Sequence, residues 1–181
     1  MNRRRTGLAV AVIAIALCGW TATNWKRIRP YDWRQVQSPE AQFSISFPGN
    51  PTASQESNTA SDGSTFVSSK LTTSPANGVI YALSWWENSA QTSTPTDVLF
   101  ADFRDCIIKG FHGKIVSEKE LNVEGNPAID TVVFVPNGLV VVNRVIRVRS
   151  RFYSLWVVDS PGQLERADIQ RFLNSLKIHS L

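Results

Sequence analysis

Residues for covalent cross-links and metal ligation are scarce in this chain. Of its 181 residues only two are cysteines, Cys18 and Cys106, and only two are histidines. One thiol beyond the amino-terminal segment excludes an internal disulfide in the folded body, and two distant histidines without a cysteine pair do not match a zinc site. We therefore expect no metal and no other cofactor, and a body of roughly 145 residues that is stabilised by its core alone.

The common sequence signatures of enzymes are also absent. The chain has no Gly-x-Ser-x-Gly nucleophile elbow, no phosphate-binding loop that ends in Lys and Ser or Thr, and no Gly-x-Gly-x-x-Gly fingerprint. We therefore assign no catalytic residue. The alternative is a hydrolase whose residues meet only after folding, with His112 in the turn at 110–113 and a nearby carboxylate as the first candidates.

Net charge does not favour nucleic acid as a partner. The formal net charge is +4, but seven of the 19 basic residues lie at or before Arg34, and the remaining 12 stand against 14 acidic residues. The body beyond Arg34 therefore carries a net charge of −2. Because binding to a polyanion needs a positive folded surface, we expect no nucleic-acid partner.

Charge is missing altogether from residues 6–24, and arginines and lysines flank this run on both sides. A charge-free run between cationic flanks is typical of a segment that enters a lipid bilayer, so we expect membrane contact through residues 7–24. Arg3, Arg4 and Arg5 favour an amino terminus on the inside. The pattern predicts a single-pass membrane protein whose domain is extracytoplasmic, and periplasmic in a bacterium with two membranes.

Two alternatives to an uncleaved anchor stay open. The most apolar part, residues 8–20, has the length of a signal-peptide core, and cleavage would leave a secreted or periplasmic body. Cys18 closes an apolar export segment, as the lipidated cysteine of bacterial lipoproteins does, although Leu17 stands where that pattern has a small residue.

The chain divides into three regions. Residues 1–29 are predicted as the membrane anchor or signal segment, residues 30–40 as a spacer bounded by prolines, and residues 41–181 as a single extracytoplasmic domain. In that domain, alternating apolar residues and turn signals predict strands at 43–47, 65–73, 78–86, 114–121, 127–135, 139–147 and 152–158, helices at 96–110 and 161–174, and an exposed loop at 52–64. Many strands, two helices and no repeated βαβ unit indicate an α+β fold with an antiparallel sheet flanked by the helices.

The two ends of the domain resemble a known family. The opening Phe43-Ser44-Ile45-Ser46-Phe47-Pro48-Gly49-Asn50-Pro51 and the closing Phe172-Leu173-Asn174-Ser175-Leu176-Lys177-Ile178 are similar to the ends of PsbP-like domains, bacterial extracytoplasmic relatives of an extrinsic photosystem II subunit. The resemblance implies an α/β/α-type sandwich around an antiparallel sheet. It also implies a binding or assembly factor rather than an enzyme. No functional residue of the family carries over to this chain.

Two groups of side chains are candidates for binding. The first is cationic, because Arg147, Arg149 and Arg151 recur at every second position and share one face of an extended strand, with Arg144 nearby. Such a stripe would suit an anionic ligand or lipid headgroups; the alternative is a hairpin tip whose charges keep an edge soluble. The second candidate is Trp86, because adjacent Trp85 and Trp86 point to opposite faces and one of them is expected at an interface or pocket rim.

These features predict a membrane-tethered extracytoplasmic binding or assembly module without catalytic activity and with an unknown ligand. Its partner would be an envelope protein or an anionic ligand. The alternatives are the hydrolase assembled around His112 and a purely structural envelope protein that packs against its neighbours.

Overall fold

The computed structural model describes residues 31–59, 65–75, 78–163 and 166–179. The predicted anchor at 1–29 lies outside these residues, and no helix among them has the length and hydropathy that a membrane crossing requires. The described elements are, in chain order, β1 (Trp33–Ser38), β2 (Phe43–Pro48), β3 (Thr52–Thr59), β4 (Thr65–Thr73), β5 (Ile80–Glu87), a short 3-10 helix (Ser89–Gln91), α1 (Thr96–Phe111), β6 (Lys114–Val123), β7 (Asn126–Phe134), β8 (Val140–Val148), β9 (Arg151–Asp159), α2 (Ala167–Asn174) and β10 (Lys177–Ile178).

The strands form two antiparallel sheets. The larger sheet has seven strands in the order β3-β4-β5-β9-β8-β7-β6, and the smaller has three in the order β1-β2-β10. Most neighbours in the larger sheet are also neighbours in sequence, but β9 pairs with β5 across a long stretch of chain. Strand β9 therefore joins the β3-β4-β5 part of the sheet to the β6-β7-β8 part.

Both faces of the larger sheet are covered at its centre. Tyr153 and Leu155 of β9 pack in one core with β2 and α2, whereas Phe152 and Val158 on the opposite face pack in cores with α1. Because both faces are buried, β8 and β9 are apolar at most positions instead of alternating. The layers are therefore α1, the seven-stranded sheet, and the small sheet together with α2. This confirms the predicted α+β fold with an antiparallel sheet flanked by two helices.

Two stretches predicted as irregular are strands. Residues 33–38, inside the predicted spacer 30–40, form β1 and pair along the whole of β2. The indole of Trp33 in β1 also lies 4.2 Å below the guanidinium of Arg171 in α2. Residues 52–59, inside the predicted loop, form the edge strand β3, whose partner is β4. Both strands lie at an edge and are polar, so their sequences lack the apolar alternation that marks a half-buried strand.

The second helix begins later than the sequence pattern predicts. The sequence predicts this helix over 161–174, because residues 160–163 resemble a capping box with proline at the first helical position, but α2 begins at Ala167. Gly162 has a φ of 81°, which is outside the helical region, so the chain turns there before the helix starts. The residue that precedes the helix, Arg166, makes no side-chain cap.

Arg144 is a structural ion-pair residue at the centre of the sheet. From β8 its guanidinium donates two hydrogen bonds to the carboxylate of Asp130 on β7, at 2.7 and 2.8 Å. It also donates to the carbonyl of Leu173 at the end of α2, at 2.9 Å, and to Asn174 Oδ1, at 3.1 Å. The side chain of Arg144 is only 8% exposed. Arg144 thus links the large sheet to the layer that contains α2.

Replacing Arg144 should therefore destabilise the protein. The change Arg144→Met leaves Asp130 and the end of α2 without their donor, and we expect a loss of about 3 kcal/mol in the free energy of unfolding, measured by urea denaturation. Arg149→Met is the matched control, because Arg149 is exposed in a turn and should change the stability by less than about 0.5 kcal/mol. Equal losses for the two variants would contradict a structural role of Arg144.

Candidate functional site

The structure separates the arginines that the sequence places on one stripe. Arg144 faces α2, whereas Arg147, three residues later in β8, faces the opposite layer and holds the loop before α1. The Arg147 guanidinium donates to the hydroxyl of Thr96, at 3.0 Å, and to four backbone carbonyls at 2.7 to 3.2 Å, those of Gln91, Thr92 and Thr94 in the loop and that of Arg149 in the turn after β8. The donors of Arg147 are thus used within the fold.

The chain reverses between Arg147 and Arg151. Arg149 has a φ of 56° and lies exposed in the turn, and its guanidinium has no ion-pair partner among the residues that the structure describes. Arg151 is already on the next strand, where it pairs with Glu87 and donates to Gln42 Oε1 at 3.2 Å. The arginines therefore do not form one stripe, because the hairpin turn interrupts the two-residue period. The geometry is that of the alternative, charges at and beside a hairpin tip.

Trp85 and Trp86 face opposite sides of β5, as their adjacent positions predict. Trp85 packs on Phe43 of β2, with ring centroids 5.0 Å apart. Trp86 faces the α1 layer, where it stacks on Phe152 of β9 at 5.4 Å and meets Phe103 of α1 at 5.5 Å. Trp86 is half-buried and forms one wall of the region described next.

Small and polar side chains occupy the α1 face of the sheet between Trp86 and Trp156. They lie in two neighbouring rows of residues that pair across the strands. The first row consists of Lys70, Ser84 and Ser154, in that order. The second row consists of Thr72, Ala82, Trp156 and Asn143. We call five of these residues the polar band: Lys70, Thr72, Ser84, Asn143 and Ser154. The band crosses four strands, from β4 to β8.

The inner end of the polar band has a buried acceptor without a partner. Asn143 is 1% exposed, and its Nδ2 donates to Ser154 Oγ at 2.7 Å and to the carbonyl of Leu155 at 3.1 Å. Because that carbonyl can only accept, the orientation of the amide is fixed. Asn143 Oδ1 takes no part in these contacts and, like Thr72 Oγ1, has no hydrogen-bond partner among the described residues. A buried polar atom in this state costs about 1–3 kcal/mol, so it needs an explanation.

The outer end of the polar band is charged and partly open. Lys70 Nζ is 2.7 Å from Glu56 Oε1 on the edge strand β3, and Ser84 beside it is half-buried. Lys70 is therefore tied to the edge strand β3 by an ion pair. Further inward lie the hydroxyls of Thr72, Ser84 and Ser154, and then the unpartnered Oδ1 of Asn143. The indoles of Trp86 and Trp156 flank these groups. Hydrogen-bond donors and acceptors thus lie next to two indoles on this face of the sheet.

Neither histidine reaches the polar band. His112 ends α1 with a φ of 50°, is exposed, and has no side-chain hydrogen bond with a described residue. His179 Nε2 lies 3.1 Å from Ser44 Oγ, within the small sheet. Cys106 is buried in α1, and burial raises the pKa of its thiol to about 11. Within the described ranges, no three side chains of the metal-ligating types group together.

A second polar cluster lies where α2 begins. Arg166 donates two hydrogen bonds to Asp168, at 2.6 and 3.0 Å, and one to the hydroxyl of Tyr31, and it lies 3.4 Å from Asp159. Burial raises the pKa of Asp159. Burial also acts to raise the pKa of Asp168, but hydrogen bonds from Arg166 and Tyr81 outweigh it and leave that pKa below its usual value. Perturbed carboxyl groups often mark functional sites, yet each member here is paired, which indicates a structural tie.

The sequence reasoning missed the polar band. A detectable signal was present, because Asn143 interrupts the run Val140-Val141-Val142 before Val145, and Ser154 stands between Tyr153 and Leu155. A polar residue inside a strand that is apolar on both faces is unusual and calls for a partner. Lys70 and Ser84, in contrast, give no such signal, and only the strand order places them beside Ser154.

The comparisons with known proteins give a likeness of fold. No family model matches the chain. No curated protein matches it. Similar solved structures include cyanobacterial PsbP (CyanoP) from Synechocystis sp. PCC 6803, with 8% identity, a TM-score of 0.49, and coverage of 91% of this chain and 99% of that one. A Pseudomonas aeruginosa protein of unknown function, PA94, named as a candidate regulator, has 14% identity, a TM-score of 0.47, and coverage of 82% and 99%.

A third similar structure comes from Bacteroides thetaiotaomicron, with 12% identity, a TM-score of 0.40, and coverage of 81% of this chain and 48% of that one. The sequence resembles PsbP-like domains, and a solved PsbP structure has a similar fold, but no family model matches the chain. At these identities the likeness says nothing about a ligand or a reaction.

The polar band should contribute little to stability. In the double variant Asn143→Leu/Ser154→Ala both hydrogen-bonding side chains become apolar, and the unpartnered Oδ1 disappears with them. We expect the free energy of unfolding to stay the same or rise by about 1 kcal/mol, because removing both partners also removes their desolvation cost. Urea denaturation checks this, with Asn143→Leu alone as the comparison. A loss well beyond 2 kcal/mol in the double variant would show that the polar pair holds the fold together.

Proposed function

We propose that this protein is a membrane-tethered extracytoplasmic binding or assembly module without catalytic activity, and that the polar band is its binding site. The observation that carries the proposal is the fully buried Asn143 Oδ1, which has no described partner at the inner end of a band that opens beside Lys70. A ligand group that donates a hydrogen bond to this oxygen would remove the cost of the unpartnered acceptor. Trp86 and Trp156 would supply apolar contact on either side.

The chemistry of the band favours binding over a reaction. Among the described residues, neither Ser84 nor Ser154 hydrogen-bonds a histidine or a carboxylate, which a serine nucleophile needs for its activation. The hydrolase alternative requires His112 in a pocket with an acidic or hydroxyl partner, whereas His112 is exposed at the end of α1. The membrane tether is supported by the charge-free residues 6–24 and their cationic flanks.

Site-specific photo-crosslinking in the native envelope tests the proposal. Phe66 lies on the α1 face of β4 beside Trp86, which forms one wall of the band, with the two ring centroids 6.1 Å apart, and p-benzoylphenylalanine replaces it with another aromatic side chain. In the full-length protein, crosslinking at position 66 should give an adduct of defined mass. That adduct should be lost in the Asn143→Leu/Ser154→Ala background, because the band no longer offers its polar groups.

Val67 is the matched control position. It is the next residue on β4, it is 57% exposed, and its side chain points to the opposite face of the sheet. An adduct of the same mass and yield from positions 66 and 67 would contradict a site on the α1 face. An adduct at position 66 that persists in the double variant would show that the polar band is not what the partner recognises.

A further inference from the structure

Three large apolar side chains are exposed at one end of the sheet, where Phe134 lies on one face and Ile115, opposite the buried Val133, lies on the other. Ile115 and Val116 on β6 are 39% and 63% exposed, and Phe134 on β7 is 42% exposed. Lys114 lies opposite Phe134, and the register shifts between Ile115 and Ser117, so that Val116 has no partner on β7. We call Lys114, Ile115, Val116 and Phe134 the end patch.

The described chain begins at this same end of the molecule. Phe134 lies opposite Val140, and Val140 lies opposite Asp159. Asp159 contacts Arg166, and Arg166 in turn donates a hydrogen bond to the hydroxyl of Tyr31, the first described residue, at 3.3 Å. With strands about 4.8 Å apart, the end patch on β6 and β7 lies about 10 to 15 Å from Asp159 on β9.

The length of the chain before Tyr31 limits how far this end can lie from a bilayer. The charge-free run ends at Asn24, which leaves residues 25–30 between that run and the body. Six residues span at most about 20 Å even when fully extended. If residues 7–24 enter the membrane, the end of the body that carries Tyr31 must stay close to the lipid surface, and Lys26, Arg27 and Arg29 lie between them.

The charges at this end suit an anionic surface. Lys109 in the last turn of α1 and the exposed Lys114 are cationic. Two carboxylates on this side, Asp159 and Asp168, are paired with Arg166, and Asp32 is paired with Arg34. Apolar side chains beside lysines are the composition by which peripheral surfaces enter the headgroup region of a bilayer.

We propose that the end patch inserts into the headgroup region of an anionic lipid bilayer, so that the body rests on the membrane with this end down. This inference rests on the membrane tether of the proposed function. The end patch is on β6 and β7, at one edge of the sheet, whereas the polar band opens towards β3 and β4 at the other edge. The body would therefore rest on lipid while its binding site stays accessible.

Environment-sensitive labels on the full-length chain test the orientation. Val116→Cys and the control Val98→Cys are each made in a Cys18→Ser background and labelled with NBD after reconstitution into phosphatidylcholine–phosphatidylglycerol vesicles. Val98 is 46% exposed near the start of α1, about 20 Å along the helix from its other end. Cys106 is buried, and the Cys18→Ser protein without an added cysteine checks that it stays unlabelled.

We expect NBD at position 116 to shift to shorter wavelength and to be quenched by spin-labelled lipid several-fold more strongly than NBD at position 98. Replacing Phe134 by Ser should weaken that quenching. If the chain floats with the vesicles but NBD has the same emission and quenching at positions 116 and 98, the lipid contact of the end patch is contradicted and the membrane tether is not.

A chain that does not float with the vesicles overturns both this inference and the membrane tether. The label at 116 could also stay exposed on pure lipid vesicles and become protected only on native envelope membranes. That result would assign the patch to a protein partner and overturn the lipid contact.

Discussion

Burial of β8 and β9 on both faces is the constraint on which the rest of the structure depends. Because α1 covers one face and the small sheet with α2 covers the other, nearly every side chain of these strands must be apolar or must find a partner inside the protein. Tyr153 follows this rule by donating a hydrogen bond to the carbonyl of Ala41, at 2.7 Å. Arg144 follows it through Asp130 and the end of α2. These polar contacts fix how the two layers sit on the central sheet.

Asn143 is the exception, and the proposed binding site depends on it. One half of its amide is satisfied by Ser154 and Leu155, and the other half is buried without a described partner. A leucine of similar size would fill the position at lower cost, since the net gain from a buried hydrogen bond is only about 1 kcal/mol. Stability does not explain why an unpartnered oxygen is buried at this position, and the proposed ligand would explain it. The same reasoning does not apply to the cluster around Arg166, because its members are mutually paired.

The parts of the fold that depend on local sequence could be predicted. The turn at Asn137-Gly138, where Gly138 has a φ of 84°, and the apolar periodicity of α1 placed the central hairpin and the first helix. Strands β1 and β3 could not be predicted, since edge strands expose polar side chains and read as spacer or loop. The start of α2 was misplaced because the residues 160–163 fit both a capping box and a turn.

Contacts between residues that are far apart in the chain could not be predicted from the sequence. The period of Arg147, Arg149 and Arg151 is genuine, but a turn at Arg149 divides it between two strands, and periodicity alone does not show where a strand ends. The polar band is the converse case, because Lys70, Ser84 and Ser154 are far apart in the chain and meet only through the pairing of β5 with β9. The pattern around Asn143 indicated that something polar was buried, but not what lay beside it.

The central claim is that this fold acts outside the cytoplasm while attached to a membrane. The most direct measurement is protease accessibility of the full-length chain in intact spheroplasts, combined with alkaline extraction of their membranes. We predict that the chain stays in the extracted membranes and that protease added from outside digests its body. Recovery of an intact, untrimmed chain in the soluble cytosolic fraction, or protection from protease until the cells are lysed, would contradict the claim.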